Sequence, residues 1–230
     1  DIIPDFGIAI IILTIIIKSL LVPLSRKQIE SQKKMQVLQP KIKEIQAKYK
    51  NDKEGQSRAM IELYKQSKAN PFSGCLPMII QLIFLIAIYR VLFNISNAGL
   101  VIDEKDLYFF INNPGQINKM FLSMIDLSSA VEFTKIGLKS LPHITLVVLA
   151  AGAQFIQTKM MIAKQPVRKE GSEPDISEIM TKQMLILGPA LTLFIGIKFP
   201  AGLALYWFVS TVFMIFQQKK MEKSDTVIEK

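Results

Sequence analysis

One lysine sits where a lysine is costly. Lys18 interrupts the apolar run Phe6 to Leu24 (FGIAIIILTIIIKSLLVPL). An ammonium at membrane depth costs about 2.5–3.5 kcal/mol on insertion scales, and such groups usually face a bundle interior or a wet cavity. The alternative is snorkelling, because the lysine stem is long and Lys18 lies toward one end of the run. Thr14, one turn earlier, projects from the same helix face. Further along, Gln81, Gln154, Gln157, Tyr206 and Ser210 also interrupt apolar stretches and would line the same space. The chemistry open to such a set is reversible: a positive charge and neutral hydrogen-bonding groups that attract a polar or acidic segment. Each neutral residue alone is more often interhelical glue.

Covalent and metal chemistry find no support in the residues. His143 is the only histidine and Cys75 the only cysteine, and the predicted topology puts them at opposite ends of their helices. There is no HExxH helix and no glycine-rich phosphate loop. We therefore expect no enzyme activity, no cofactor and no bound metal.

The elements that must position Lys18 and its companions are membrane helices. Half of the 230 residues are hydrophobic, and the mean hydropathy is positive at +0.32. Apolar runs occur at Phe6–Leu24, Cys75–Phe93, Leu141–Ile162, Met184–Phe199 and Ala201–Phe216. Helices are the economical way across, since they satisfy their own backbone in lipid. The fold class is an all-α membrane protein with a bundle of five spans. The last two are separated only by Pro200 and form a tight hairpin. The chain divides into a first span (1–24), a cytoplasmic helical hairpin (25–70), a second span (71–95) and an extracytoplasmic segment (96–140). Spans three to five (141–218) follow, with a loop at 163–182, then a tail (219–230).

In the hairpin, Met35, Leu38, Ile42, Ile45 and Tyr49 form an apolar stripe at helical spacing, and Met60, Ile61 and Tyr64 a second. Asn51, Asp52 and Gly55 mark the turn, and Pro40 is a candidate kink. Ile117–Phe133 is too polar to span. It reads either as an interfacial amphipathic helix or as a surface loop with one helix. Arg90 is expected to snorkel to the outer interface. The chain opens at Asp1 with no initiator methionine, and what precedes it is not read from these residues. The net charge of +9 comes from lysines and arginines crowded into the hairpin, the loop near 164–182 and the tail. By the positive-inside rule these face the cytoplasm and the N-terminus faces out.

Three stretches together resemble the YidC/Oxa1/Alb3 family of membrane protein insertases. Asn70-Pro71-Phe72-Ser73-Gly74-Cys75-Leu76-Pro77 with Gln81 is similar to the start of that family's second core helix. Leu38-Gln39-Pro40-Lys41-Ile42 with Lys48-Tyr49 resembles its cytoplasmic hairpin, and Phe199 to Trp207 with Gln217-Gln218 its last two helices. The resemblance implies a bacterial inner-membrane chaperone that inserts newly made membrane proteins through a hydrophilic groove, without ATP. It implies that Lys18 stands where the family usually carries arginine, keeping the charge but not the planar fork. Thr14 matches the position one turn before it, and Tyr206 and Trp207 the aromatic pair facing it. The partners implied are nascent membrane proteins and lipid, with the ribosome and a Sec translocon as further candidates. No specific nucleic-acid sequence is expected. An anion transporter or channel is the competing reading, although the inverted repeats common in transporters are not found. A scaffold with no groove is a third.

Overall fold

Helices account for nearly all of the described chain. In this computed structural model the described residues are 5–70, 76–97, 107, 109, 117–131, 137, 140–162 and 176–228. The element order is α1 (Phe6–Leu20), α2 (Val22–Lys48), α3 (Lys53–Gln66), α4 (Leu76–Asn97), β1 (Met120–Phe121), β2 (Ile125–Asp126), α5 (Leu141–Met161), α6 (Ile176–Lys198) and α7 (Ala201–Ile228). The Cys75 segment, the loop at 163–175 and most of 98–116 lie outside the described residues.

Two helical segments, Leu141–Met161 and Ala201–Glu222, are long and apolar enough to cross a membrane. α1 and α2 qualify together as a pair bent by 65°, while Ile79–Asn94 and Gln183–Lys198 are shorter apolar helices. The run Phe6–Leu24 is therefore divided between two helices. The Leu21 amide bonds back to Ile17, closing α1. Pro23 then sits in the first turn of α2, where its missing N–H costs nothing. The Ser25 hydroxyl donates to the Leu21 carbonyl at 3.0 Å, a back-bond of the kind that bends helices.

α2 and α3 are joined by a short turn and pack against each other as a helical hairpin. Leu38 and Ile42 are buried, and the Asp52 carboxylate caps α3 by accepting from the Gly55 amide at 2.9 Å. Gly55 thus belongs to the first turn of α3, and α2 continues through Pro40. Two boundaries move. α6 begins at Ile176, inside the segment read as loop, and α7 runs on to Ile228, through the segment read as a fraying tail. Residues such as Lys219, Lys220, Met221 and Glu222 are good helix formers, so nothing stops α7 at the membrane edge.

The expectation of a helix over Ile117–Phe133 is corrected: the described part, 117–131, is a β-ribbon pairing Met120 with Asp126 and Phe121 with Ile125. Local side chains compete with helix formation here. Asn118 accepts from the Met120 amide, and Asp126 accepts from both the amide and the hydroxyl of Ser128. Leu122 and Ser123 adopt positive φ at the tip. Lys119 and Asp126 pair at 2.8 Å. Burial pushes the Asp126 carboxyl upward, but hydrogen bonds from Lys119 and Ser128 and the lysine charge together hold it below its ordinary value.

The ribbon clamps one end of the bundle. Asp5 caps α1 through one carboxylate oxygen, accepting from Gly7 at 2.8 Å, while the other accepts from the Leu122 amide at 2.9 Å. Leu127 is 0% exposed and packs in the core with Leu92, Leu146, Val147, Leu203 and Leu205. Its carbonyl accepts from the Gly202 amide, and the Ser129 carbonyl accepts from Ala201. α7 is the central helix, packed on α1 and α5, with α6 on α5 and α4 meeting α7 more sparsely.

Candidate functional site

In α1, α4 and α7 the buried apolar residues lie toward the ribbon and the buried polar residues toward the hairpin, and α5 follows the same order apart from His143, buried in its first turn. Along α1, Gly7 and Ile10 precede Thr14 and Lys18. Along α5, Leu146, Val147 and Ala150 precede Gln154 and Thr158. Along α7, Ala201–Tyr206 precede Ser210, Thr211 and Gln218. α4 runs the other way, so Gln81 lies at the hairpin end and Leu92 at the ribbon end. The interior therefore has a ribbon half that is apolar apart from His143 and a polar half toward the hairpin.

Lys18 is at the centre of the polar half and only 7% exposed. Its ammonium donates to Gln81 Oε1 at 3.2 Å, and the same oxygen accepts from Ser210 Oγ at 3.1 Å. Tyr206, 2% exposed, brings its hydroxyl beside Gln81 and Ser210. Four of the residues singled out from sequence, on three helices, thus converge. The Lys18 side chain is turned into the bundle, and it makes no reach for an interface. Thr14 is buried on the same face, but its hydroxyl donates to the Ile10 carbonyl at 2.6 Å, so it lines the site without engaging Lys18.

Trp207 belongs to a second node. One residue along a helix is a turn of about 100°, so Trp207 faces away from the Tyr206 cluster. Its indole N–H donates to Gln154 Oε1 at 3.0 Å. Thr211 Oγ1 lies 3.5 Å from the same oxygen, and Gln154 Nε2 is 3.4 Å from Thr158 Oγ1. Gln157 is half-buried on α5 and shares no hydrogen bond with either node. Trp207 is the only tryptophan, so its fluorescence reports this node alone. Gln154→Leu strands a half-buried indole N–H, and we expect a loss of about 1–2 kcal/mol in stability with a changed emission maximum. Gln157→Leu is expected to change stability by less than about 0.5 kcal/mol. Thermal unfolding and emission spectra of the two variants check this, and identical behaviour would refute the assignment.

The polar half is under-satisfied. Gln81 Nε2, Gln28 Nε2, Gln217 Oε1 and the Tyr206 hydroxyl are buried without a hydrogen-bond partner, as are Gln46 Oε1 in the hairpin and His143 Nε2 near the ribbon. Buried polar groups ordinarily have partners, so four in one region need a reason such as water or an incoming ligand. Lys18 borders a cavity of about 20 Å³ roofed by Leu24, Ser25 and Gln28 of α2, with Ile80 and Met214 at its sides. A cavity needs roughly 10–15 Å³ to hold one water, so there is room for about one. Gln28 was missed from sequence because it sits in a segment rich in glutamine and lysine. The signal was its place with Ser25 and Ile29 on one helical face. Among the described residues no three histidine, cysteine, aspartate or glutamate side chains come together.

Helical packing, membrane-length apolar segments and a buried charged interior define the class: a mostly helical, multi-pass integral membrane protein with a polar internal site. Residues 1–227 match the model of the 60Kd inner membrane protein family, and the chain belongs to that family, the YidC/Oxa1/Alb3 group its motifs resemble. It is an inner-membrane protein. Among its relatives, a protein of Pelobacter propionicus named Membrane protein insertase YidC is 32% identical over 219 residues, 95% of this chain and 35% of that protein. Proteins of the same name from Geotalea daltonii and Francisella tularensis subsp. novicida are 34% identical over 223 residues and 33% over 214, covering 34% and 32% of their lengths. The chain thus spans about a third of the length of the curated relatives it matches.

Proposed function

We propose that this chain inserts newly made membrane proteins into the bilayer, using the polar half of a five-span bundle as a cationic groove. The observation that carries the reading is the one-sided interior. Lys18, Gln81, Ser210 and Tyr206 converge with unsatisfied amides at the hairpin end, while Leu127 and its neighbours close the ribbon end. A polar segment is costly to drag through hydrocarbon. A charged, hydrated recess reaching partway across shortens the dry distance, and Lys18 favours acidic residues in that segment. The segment's apolar helix meets lipid directly, and no energy-carrying nucleotide enters the scheme.

The names of the relatives, membrane protein insertases, support this reading. The distribution of lysine and arginine supports a cytoplasmic hairpin and C-terminus with the N-terminus outside. Nascent membrane proteins are then the substrates, and the basic cytoplasmic surface suits a ribosome or a translocon beside it. The competing reading is a transporter that holds a small anion on Lys18. Purified protein in liposomes is expected to insert a small one- or two-span protein without ATP and to show no saturable anion uptake. Uptake without insertion would sink the proposal in favour of the transporter.

A further inference from the structure

The Lys18 cavity is closed from the hairpin side by α2, and three features suggest how it opens. The first is a hinge. α1 and α2 meet at 65° around Leu21, where Pro23 lacks an amide and Ser25 bonds back to the Leu21 carbonyl. Beside the pivot the Gln217 amide donates to the Val22 carbonyl at 3.3 Å. The second is a buried underside. Ser25, Gln28 and Ile29 are buried on one face of a helix whose other faces are largely exposed, and Ser25 and Gln28 roof the cavity. Gln28 holds an unsatisfied amide nitrogen there, which is a poor way to seal a core permanently. The third is a distant tie. Gln36, about four turns beyond the hinge on the same face, donates its side-chain amide to the Met161 carbonyl at 2.6 Å. Met161 ends α5, and the last carbonyls of a helix have no partner within it.

We propose that α2 is a lid over the Lys18 cavity and that the Gln36–Met161 hydrogen bond is its latch. Gln36 is a positioning residue: it touches neither Lys18 nor the cavity, and it holds the helix that covers both. The latch is suited to reversible use. One neutral hydrogen bond, exchanged for water on both partners, leaves no charge stranded when it breaks. With α2 raised, Ser25 and Gln28 leave the roof and the ammonium of Lys18 faces the space from which a substrate would arrive. The proposal rests on the insertase reading for its purpose but not for its geometry, and the test separates the two.

The protein's only cysteine, Cys75, is first replaced by serine, and Gln28→Cys is introduced as a reporter. The full chain in nanodiscs, open on both faces, is treated with a membrane-impermeant maleimide. Gln36→Ala and Gln36→Glu, neither of which donates to a carbonyl, are each expected to raise the labelling rate at position 28 by about three- to tenfold, the size of effect one such bond allows. Gln36→Lys, which keeps a donor, is expected to stay near the starting rate. A cysteine at Thr192, buried in α6, should be unaffected in all variants. An unchanged rate at position 28 overturns the latch, and so does a matching rise at position 192, which would mean general loosening. Labelling that behaves as expected in a protein that inserts nothing into liposomes would leave the latch standing and overturn the insertase reading instead.

Discussion

Lys18→Ala is expected to reduce insertion of substrates with acidic translocated tails by about ten- to a hundredfold, and of substrates with neutral tails by far less. Hydrogen bonds involving a charged group contribute roughly 1.5–3 kcal/mol, and each factor of ten corresponds to about 1.4 kcal/mol. The alanine variant loses the only ammonium in the site and leaves Gln81 Oε1 with Ser210 alone. Lys18→Arg keeps the charge and should retain most activity. Arginine adds a planar fork that also suits a carboxylate, which is consistent with retention. Insertion assays with paired substrates, differing only in tail charge, decide the matter. Equal loss for both tails would make Lys18 a structural partner of Gln81 and remove the electrostatic role.

The largest effect on stability is expected at Gly7. A Cβ there would lie 2.2 Å from Phe121 Cδ2 and 2.9 Å from Phe121 Cβ, so neither the ring nor its stem leaves room. Overpacking of this kind typically costs about 1–3 kcal/mol, and Gly7→Leu should exceed Gly7→Ala. The clash lies where Asp5 and Leu122 tie α1 to the ribbon, so relief by moving the ribbon would also strain that bond. Phe121→Ala should lower stability by itself, yet Gly7→Ala/Phe121→Ala should cost less than the two changes summed, by about 0.5–3 kcal/mol of coupling. Thermal unfolding of the four proteins in one detergent measures this cycle. Strict additivity would show that the ribbon does not bear on α1.

What could be read from sequence followed the strength of the local signal. The apolar runs located α1, α4, α5, α6 and α7, because hydrocarbon leaves few alternatives to helix. Lys18, Gln81, Tyr206 and Ser210 were legible as a set because each is an anomaly in its own run, and the structure joins them. Gln154 and Gln157 were indistinguishable on that criterion. Only packing against α7 selects Gln154, through Trp207. The ribbon was misread because its strands are two residues long, too short for an alternating pattern. Its shape comes from side-chain caps and from the burial of Leu127. The bend at Leu21 was equally hidden, since the hydropathy of the run continues across it to Leu24.

The way the ribbon meets α7 has an electrostatic consequence. The start of a helix concentrates partial positive charge on amides that lack helical partners, and that is where proteins commonly seat an anion. Transporters place such half-helix ends at their substrate sites. In α7 that end is already spoken for. Pro200 has no amide, Ala201 donates to the Ser129 carbonyl, Gly202 to the Leu127 carbonyl, and Leu203 to the Pro200 carbonyl. The dipole of the central helix is therefore answered by the protein's own peptide groups, and its positive pole offers no free donor to a solute. The ammonium of Lys18 is left as the one strong attraction for negative charge among the buried residues described, and it lies at the opposite end of the bundle.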